Sequence, residues 1–135
     1  MKAGAFRLVA GATGLLFVVA GVALFFAFFA YQRPGSEPAL PMGPLGHYFA
    51  AFAGCALIGW GGALIAGARD LVTGRGIAPM TAFGLALLAL YRMVGWFMGD
   101  YYAWAGDVLR YEAALFLALA LAFVWLRPAP ERRIS

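Results

Sequence analysis

Between Arg7 and Arg33 no residue carries a charge, and the run from Leu8 to Gln32 is almost wholly apolar. About 20 such residues, wound as a helix, cross the ~30 Å hydrocarbon core of a bilayer. Three further stretches meet that requirement, so the spacing predicts spans over about 6–31, 46–68, 77–98 and 108–126. Composition agrees: 64% of the 135 residues are hydrophobic and 12% are charged, against roughly 25% charged in ordinary soluble domains. A water-soluble domain of this size has too little interior to hide so much apolar surface. The expected fold is therefore all-α, an integral-membrane four-helix bundle forming a single transmembrane domain. Lys2 and Arg7 precede the first run as they would in a cleavable signal. A signal's apolar core is only about 7–15 residues long and ends at a small-residue site. The FFAFFAYQ end of this run lacks one, and it reads as a retained span.

The connections differ in kind. RPGSEPALPMGP, with Pro34, Pro38, Pro41 and Pro44, is expected to run extended along the membrane surface. RDLVTGRG is short, which makes spans two and three antiparallel neighbours. Lys2, Arg7, Arg69, Arg75, Arg127, Arg132 and Arg133 fall on one side. Arg33 and Arg110 fall on the other, beside Glu37, Asp100 and Asp107. The positive-inside rule then puts both termini in the cytoplasm of a bacterial inner membrane. This distribution also accounts for the net charge of +4 without a nucleic-acid partner. Membrane lipids and other membrane subunits are the expected partners.

Small residues recur at helical spacings: Gly11, Gly14 and Gly21 in span one, Gly54, Gly61, Gly62 and Gly67 in span two, Gly95 and Gly99 in span three. They let helix backbones approach closely, more readily within one bundle than across a dimer seam. Cys55, the single cysteine, reads as a small packing residue. HYFAAF (His47–Phe52) echoes RYEAAL (Arg110–Leu115), as would two helix hairpins related by an axis along the membrane normal.

The chemistry-bearing residues concentrate in Tyr91–Glu112, YRMVGWFMGDYYAWAGDVLRYE. At 1.5 Å per residue, Arg92 lies roughly 9 Å below the outer end of span three and Glu112 roughly 6 Å below that of span four. Antiparallel neighbours bring them to one depth, where an unpaired charge is costly and a pair is the natural solution. Trp96, four residues after Arg92, is placed to cover its guanidinium. His47, Tyr48, Asp100, Tyr101 and Trp104 join from the same side. His47, Tyr48, Arg92, Trp96, Asp100, Tyr101, Trp104 and Glu112 are thus the candidate ligand-binding residues, with Arg92 and Glu112 as a structural ion pair. Three readings stay open. The pair and aromatics lock and anchor the helices; or they floor a pocket for the head of a lipid, quinone or isoprenoid; or Glu112, Asp100 or His47 transfers protons.

Other chemistries lack their residues. One histidine excludes bis-histidine haem, and one His with one Cys makes zinc a poor fit. Ligation of a chlorophyll-type pigment would rest on His47 alone. G-x-S-x-G, HExxH and phosphate-loop motifs are absent, and GWGG at Gly59–Gly62 lies within a span. No acid falls near the midplane, where a proton-coupled transporter wants one. No catalytic residue and no cofactor is assigned, lipid or quinone apart.

R-L-x-x-G (Arg7, Leu8, Gly11), Y-R-x-x-G-x-x-x-G (Tyr91, Arg92, Gly95, Gly99) and a glutamate opening span four (Glu112) together resemble small bacterial DoxX-like membrane proteins. The likeness is greatest to a branch catalogued as a domain of unknown function, and the layout covers nearly the whole chain. The resemblance implies a four-helix bundle, often an accessory or partner protein of membrane redox or stress systems. Role expectations follow in order. The first is an accessory or carrier protein that binds a hydrophobic ligand or partner protein. The second is an enzyme on a lipid or isoprenoid, with Glu112 or Asp100 as acid/base. The third is a structural subunit of a larger redox or photosynthetic complex.

Overall fold

A computed structural model describes residues 1–31, 43–98 and 107–129. Four helices follow one another: α1 (Lys2–Tyr31), α2 (Gly43–Arg69), α3 (Leu71–Phe97) and α4 (Val108–Trp125). Each is long and apolar enough to cross a membrane. In hydrocarbon the backbone must satisfy its own hydrogen bonds, and a helix does this within one segment.

The helices run alternately up and down and associate as two pairs. α1 lies along α2, α3 lies along α4, and the two pairs meet more narrowly. Glycine sets the first pairing. A Cβ on Gly14 would stand 2.7 Å from the Gly61 carbonyl oxygen, and one on Gly21 would stand 2.5 Å from that of Gly54. The contacts are reciprocal, so the backbones touch at two levels seven residues apart. These glycines are consumed inside the bundle, whereas a Cβ on Gly59 or Gly62 would meet nothing within 4 Å. Gly99 lies outside the described residues.

The turn between α2 and α3 is tighter than the sequence implies. α3 begins at Leu71 rather than near Ile77, leaving Asp70 alone as the connection. Asp70 takes an extended conformation, and its carboxylate accepts from the backbone N–H of Val72 (3.1 Å) and Thr73 (3.0 Å). Such an N-cap satisfies orphan donors of the first turn. The Thr73 hydroxyl also donates to this carboxylate, and these hydrogen bonds, the hydroxyl's foremost, lower the Asp70 pKa below its usual value. At the other end α2 starts at Gly43 (φ 61°), so Pro44 sits in a first turn, where its missing N–H costs nothing.

Phe6, Ala10, Phe17, Leu64, Ala78, Ala82, Leu85, Ala120 and Phe123 form the buried apolar cluster. It fills the half of the bundle nearer Asp70. Phe6 meets Phe123 edge-on at 6.1 Å, and Phe17 meets Trp60 at 4.8 Å. The Trp60 indole N–H donates to the buried Thr81 hydroxyl at 3.1 Å, a polar tie between the two pairs. Pro79 lies within α3 and cannot donate to the carbonyl four residues earlier, that of Arg75. Arg127, just beyond α4, donates its Nε–H to that freed carbonyl at 3.4 Å. Outward-facing side chains such as Leu8, Phe26, Phe52, Phe83, Leu90 and Val124 leave most of the apolar surface uncovered by protein.

One expectation needs correction: Cys55 is exposed on the bundle's outer face, so it does not pack between helices. The HYFAAF and RYEAAL segments open the second helix of each pair, with His47 buried and Arg110 exposed.

Candidate functional site

At the end of the bundle opposite Asp70, oppositely charged side chains of α3 and α4 meet. α3 carries Arg92 in its last turns and α4 carries Glu112 in its first. Their antiparallel packing brings Arg92 Nε to 2.9 Å from Glu112 Oε2. The N–H is not aligned for a hydrogen bond, so attraction at this distance is Coulombic. The side chains remain 31% and 37% exposed. The pair is thus a half-buried feature, not a sealed one, and its open side faces whatever surrounds the helices.

Sequence reasoning placed Trp96 over Arg92. The indole instead faces Arg110, whose guanidinium carbon lies 5.8 Å from the ring centroid. Arg92 lies over Tyr91, at 5.6 Å. The reason is register. With Arg92 opposite Glu112, antiparallel counting sets Arg110 opposite Val94, within reach of Trp96. That counting was available from the sequence, and Arg110 was the residue it should have added. Arg110 also stacks on Tyr111 (5.1 Å), donates to the Tyr111 hydroxyl (3.4 Å) and lies 3.8 Å from Asp107. Cation–π contact of this kind strengthens as water is withdrawn. The cluster therefore holds Arg92, Arg110, Glu112 and Asp107, two cations and two carboxylates, among the rings of Tyr91, Trp96 and Tyr111.

His47 and Tyr48 occupy the second turn of α2 at the same end, one buried and the other exposed. His47 is 1% exposed, and its Nδ1 lies 2.6 Å from the Gly43 carbonyl oxygen of its own helix, a hydrogen bond that ties the ring to the first turn. Tyr48 is 57% exposed and its ring packs on Phe49 at 5.6 Å. Asp100, Tyr101 and Trp104 lie outside the described residues. Among the described residues no three His, Cys, Asp or Glu side chains converge as metal ligands would.

Chemically, the Arg92–Glu112 pair presents a compact dipole rather than a free acid or base. A half-exposed dipole of this kind can exchange partners with a polar head group. Compared with known protein families, curated proteins and solved structures, the chain shows no match.

Proposed function

We propose that the chain is a multi-pass protein of a bacterial inner membrane, both termini cytoplasmic, that acts as an accessory or carrier protein. It engages the polar head of a hydrophobic ligand of the lipid, quinone or isoprenoid class at its outer, ion-paired end, or a partner protein at that surface. The observation that carries this reading is the half-exposed Arg92–Glu112 contact at 2.9 Å, set among aromatic rings and a second cation, Arg110. A pair whose hydrogen bonds are incomplete and whose side chains stay part-exposed keeps capacity for a further polar partner. The DoxX-like resemblance of Arg92, Gly95, Gly99 and Glu112 points the same way, toward an accessory role.

The enzymatic alternative, with Glu112 or Asp100 as acid/base, is weakened by the guanidinium beside Glu112. Extraction in a mild detergent, followed by mass spectrometry of the co-purified small molecules, tests the proposal. A single hydrophobic species with a polar head, enriched to near the protein's own molar amount, is the expected result. Co-purified lipids in the same proportions as the bulk membrane, with no protein partner, would overturn it.

A further inference from the structure

At the opposite end of the bundle, near Asp70, the helices part around an open cavity of about 610 Å³. Its wall is made by the first residues of α1 (Lys2, Ala3), the first turns of α3 (Leu71, Val72, Arg75) and the segment after α4 (Leu126 to Ala129). Among the described lining residues, Lys2, Arg75 and Arg127 are cationic and none is an acid. The nearest carboxylate in sequence, Asp70, is engaged with Val72 and Thr73 of its own turn. The remaining lining residues are apolar. We propose that this cavity seats the phosphodiester of an anionic phospholipid, with the lipid's acyl chains leaving along the apolar flank.

The geometry fixes two of the three cations, Arg127 and Lys2. Pro79 frees the Arg75 carbonyl, and Arg127 donates to it, which holds the Arg127 side chain at the cavity wall. Lys2 Nζ sits 6.0 Å over the ring of Trp125, the pairing of lysine and tryptophan found at the level of lipid head groups. A polar, cation-lined cavity with apolar sides matches a molecule that is anionic at one end and greasy at the other. Basic pockets between transmembrane helices are the usual recognition sites for such heads. A free phosphate ion would use the cations and leave the apolar side unused, so the lipid is the better fit.

The test is native mass spectrometry of the full chain in detergent, offered phosphatidylglycerol and phosphatidylcholine with identical acyl chains. Phosphatidylglycerol should be retained preferentially. Lys2→Gln and Arg75→Gln should each lower its retention about fivefold, the effect of one cation near an anionic head. Arg127→Lys, which keeps the charge, should retain most of it. Arg7→Gln and Arg69→Gln, at the same end but outside the cavity wall, should leave retention unchanged, and circular dichroism should show equal helicity throughout. Millimolar inorganic phosphate should not displace the lipid. Equal retention of the two lipids, or equal loss from Arg7→Gln and Arg69→Gln, would overturn the site. Displacement by inorganic phosphate would overturn the lipid as its occupant.

Discussion

Arg92 and Glu112 act as a pair, and each has a meaning only through the other. Glu112→Gln leaves a cation facing a medium with little water, so it should destabilise the protein by about 1 kcal/mol, the scale of polar contacts between membrane helices. The double change Arg92→Gln/Glu112→Gln should cost less than Glu112→Gln alone, because no charge is stranded. Detergent melting of the two variants checks this; additive losses would mean that the side chains act separately. Trp60 and Thr81 make the corresponding case in the core. Thr81→Val removes the acceptor of the indole N–H and should lower stability by about 1 kcal/mol, while Thr81→Ser, which keeps the hydroxyl, should cost less in the same melt. The first contact was legible in the sequence because charges inside an apolar run are few and depth can be counted. The second was not: Trp60 and Thr81 look like many other apolar or neutral residues, and only the register set by the one-residue turn at Asp70 brings them together. Trp96 was assigned to the wrong arginine for a related reason. A neighbour four residues along the same helix was favoured over one on the facing helix.

At the level of the helices, the glycines divide into two kinds that look alike in the sequence. Gly61→Ala must push its new methyl toward the Gly14 carbonyl oxygen, 2.5 Å away, and should cost about 1–3 kcal/mol as an overpacked core change does. Gly62→Ala, one residue on, meets open space and should be neutral in the same thermal melt. Equal effects at both positions would place the α1–α2 seam elsewhere. The Asp70 cap has a pH signature. Its folded-state pKa is lowered by hydrogen bonds from Thr73 and Val72, so its contribution is fully present above the unfolded value of about 3.9 and is lost as pH falls through the folded value. Amide exchange at Val72 and Thr73, corrected for intrinsic rate, should accelerate through that acid window in the native chain and show no such step in Asp70→Ala. The early start of α3 escaped the sequence reading because TGRG looks like a turn. One aspartate with donors two and three residues ahead was the stronger signal.

The molecule as a whole has two chemically different ends joined by an apolar middle. The half nearer Asp70 contains the aromatic and aliphatic cluster and ends in a cation-lined cavity. The other half packs through glycine and alanine and ends in the Arg92–Glu112 and Arg110 cluster. That the chain holds four helices long and apolar enough to cross a membrane was legible from the lengths of its apolar runs. The close α1–α2 pairing needed the glycine contacts. The proposed orientation, with both termini cytoplasmic, rests on the arginine and lysine distribution and can be tested directly. In a Cys55→Ala background, Gly4→Cys should react with an impermeant thiol reagent only from the cytoplasmic side, and Leu45→Cys only from the opposite side. Reversed labelling would invert the assignment of the ion-paired end.

The proposed function requires that this ion-paired end bind something other than the protein's own helices. Arg92→Gln/Glu112→Gln removes the dipole while stranding no charge, and native mass spectrometry of this variant beside the unaltered chain reads the consequence. The unaltered chain should carry a hydrophobic ligand or a stoichiometric partner, and the equally helical variant should have lost it. The same bound species at the same occupancy in both proteins would contradict the claim and leave the pair as a helix lock.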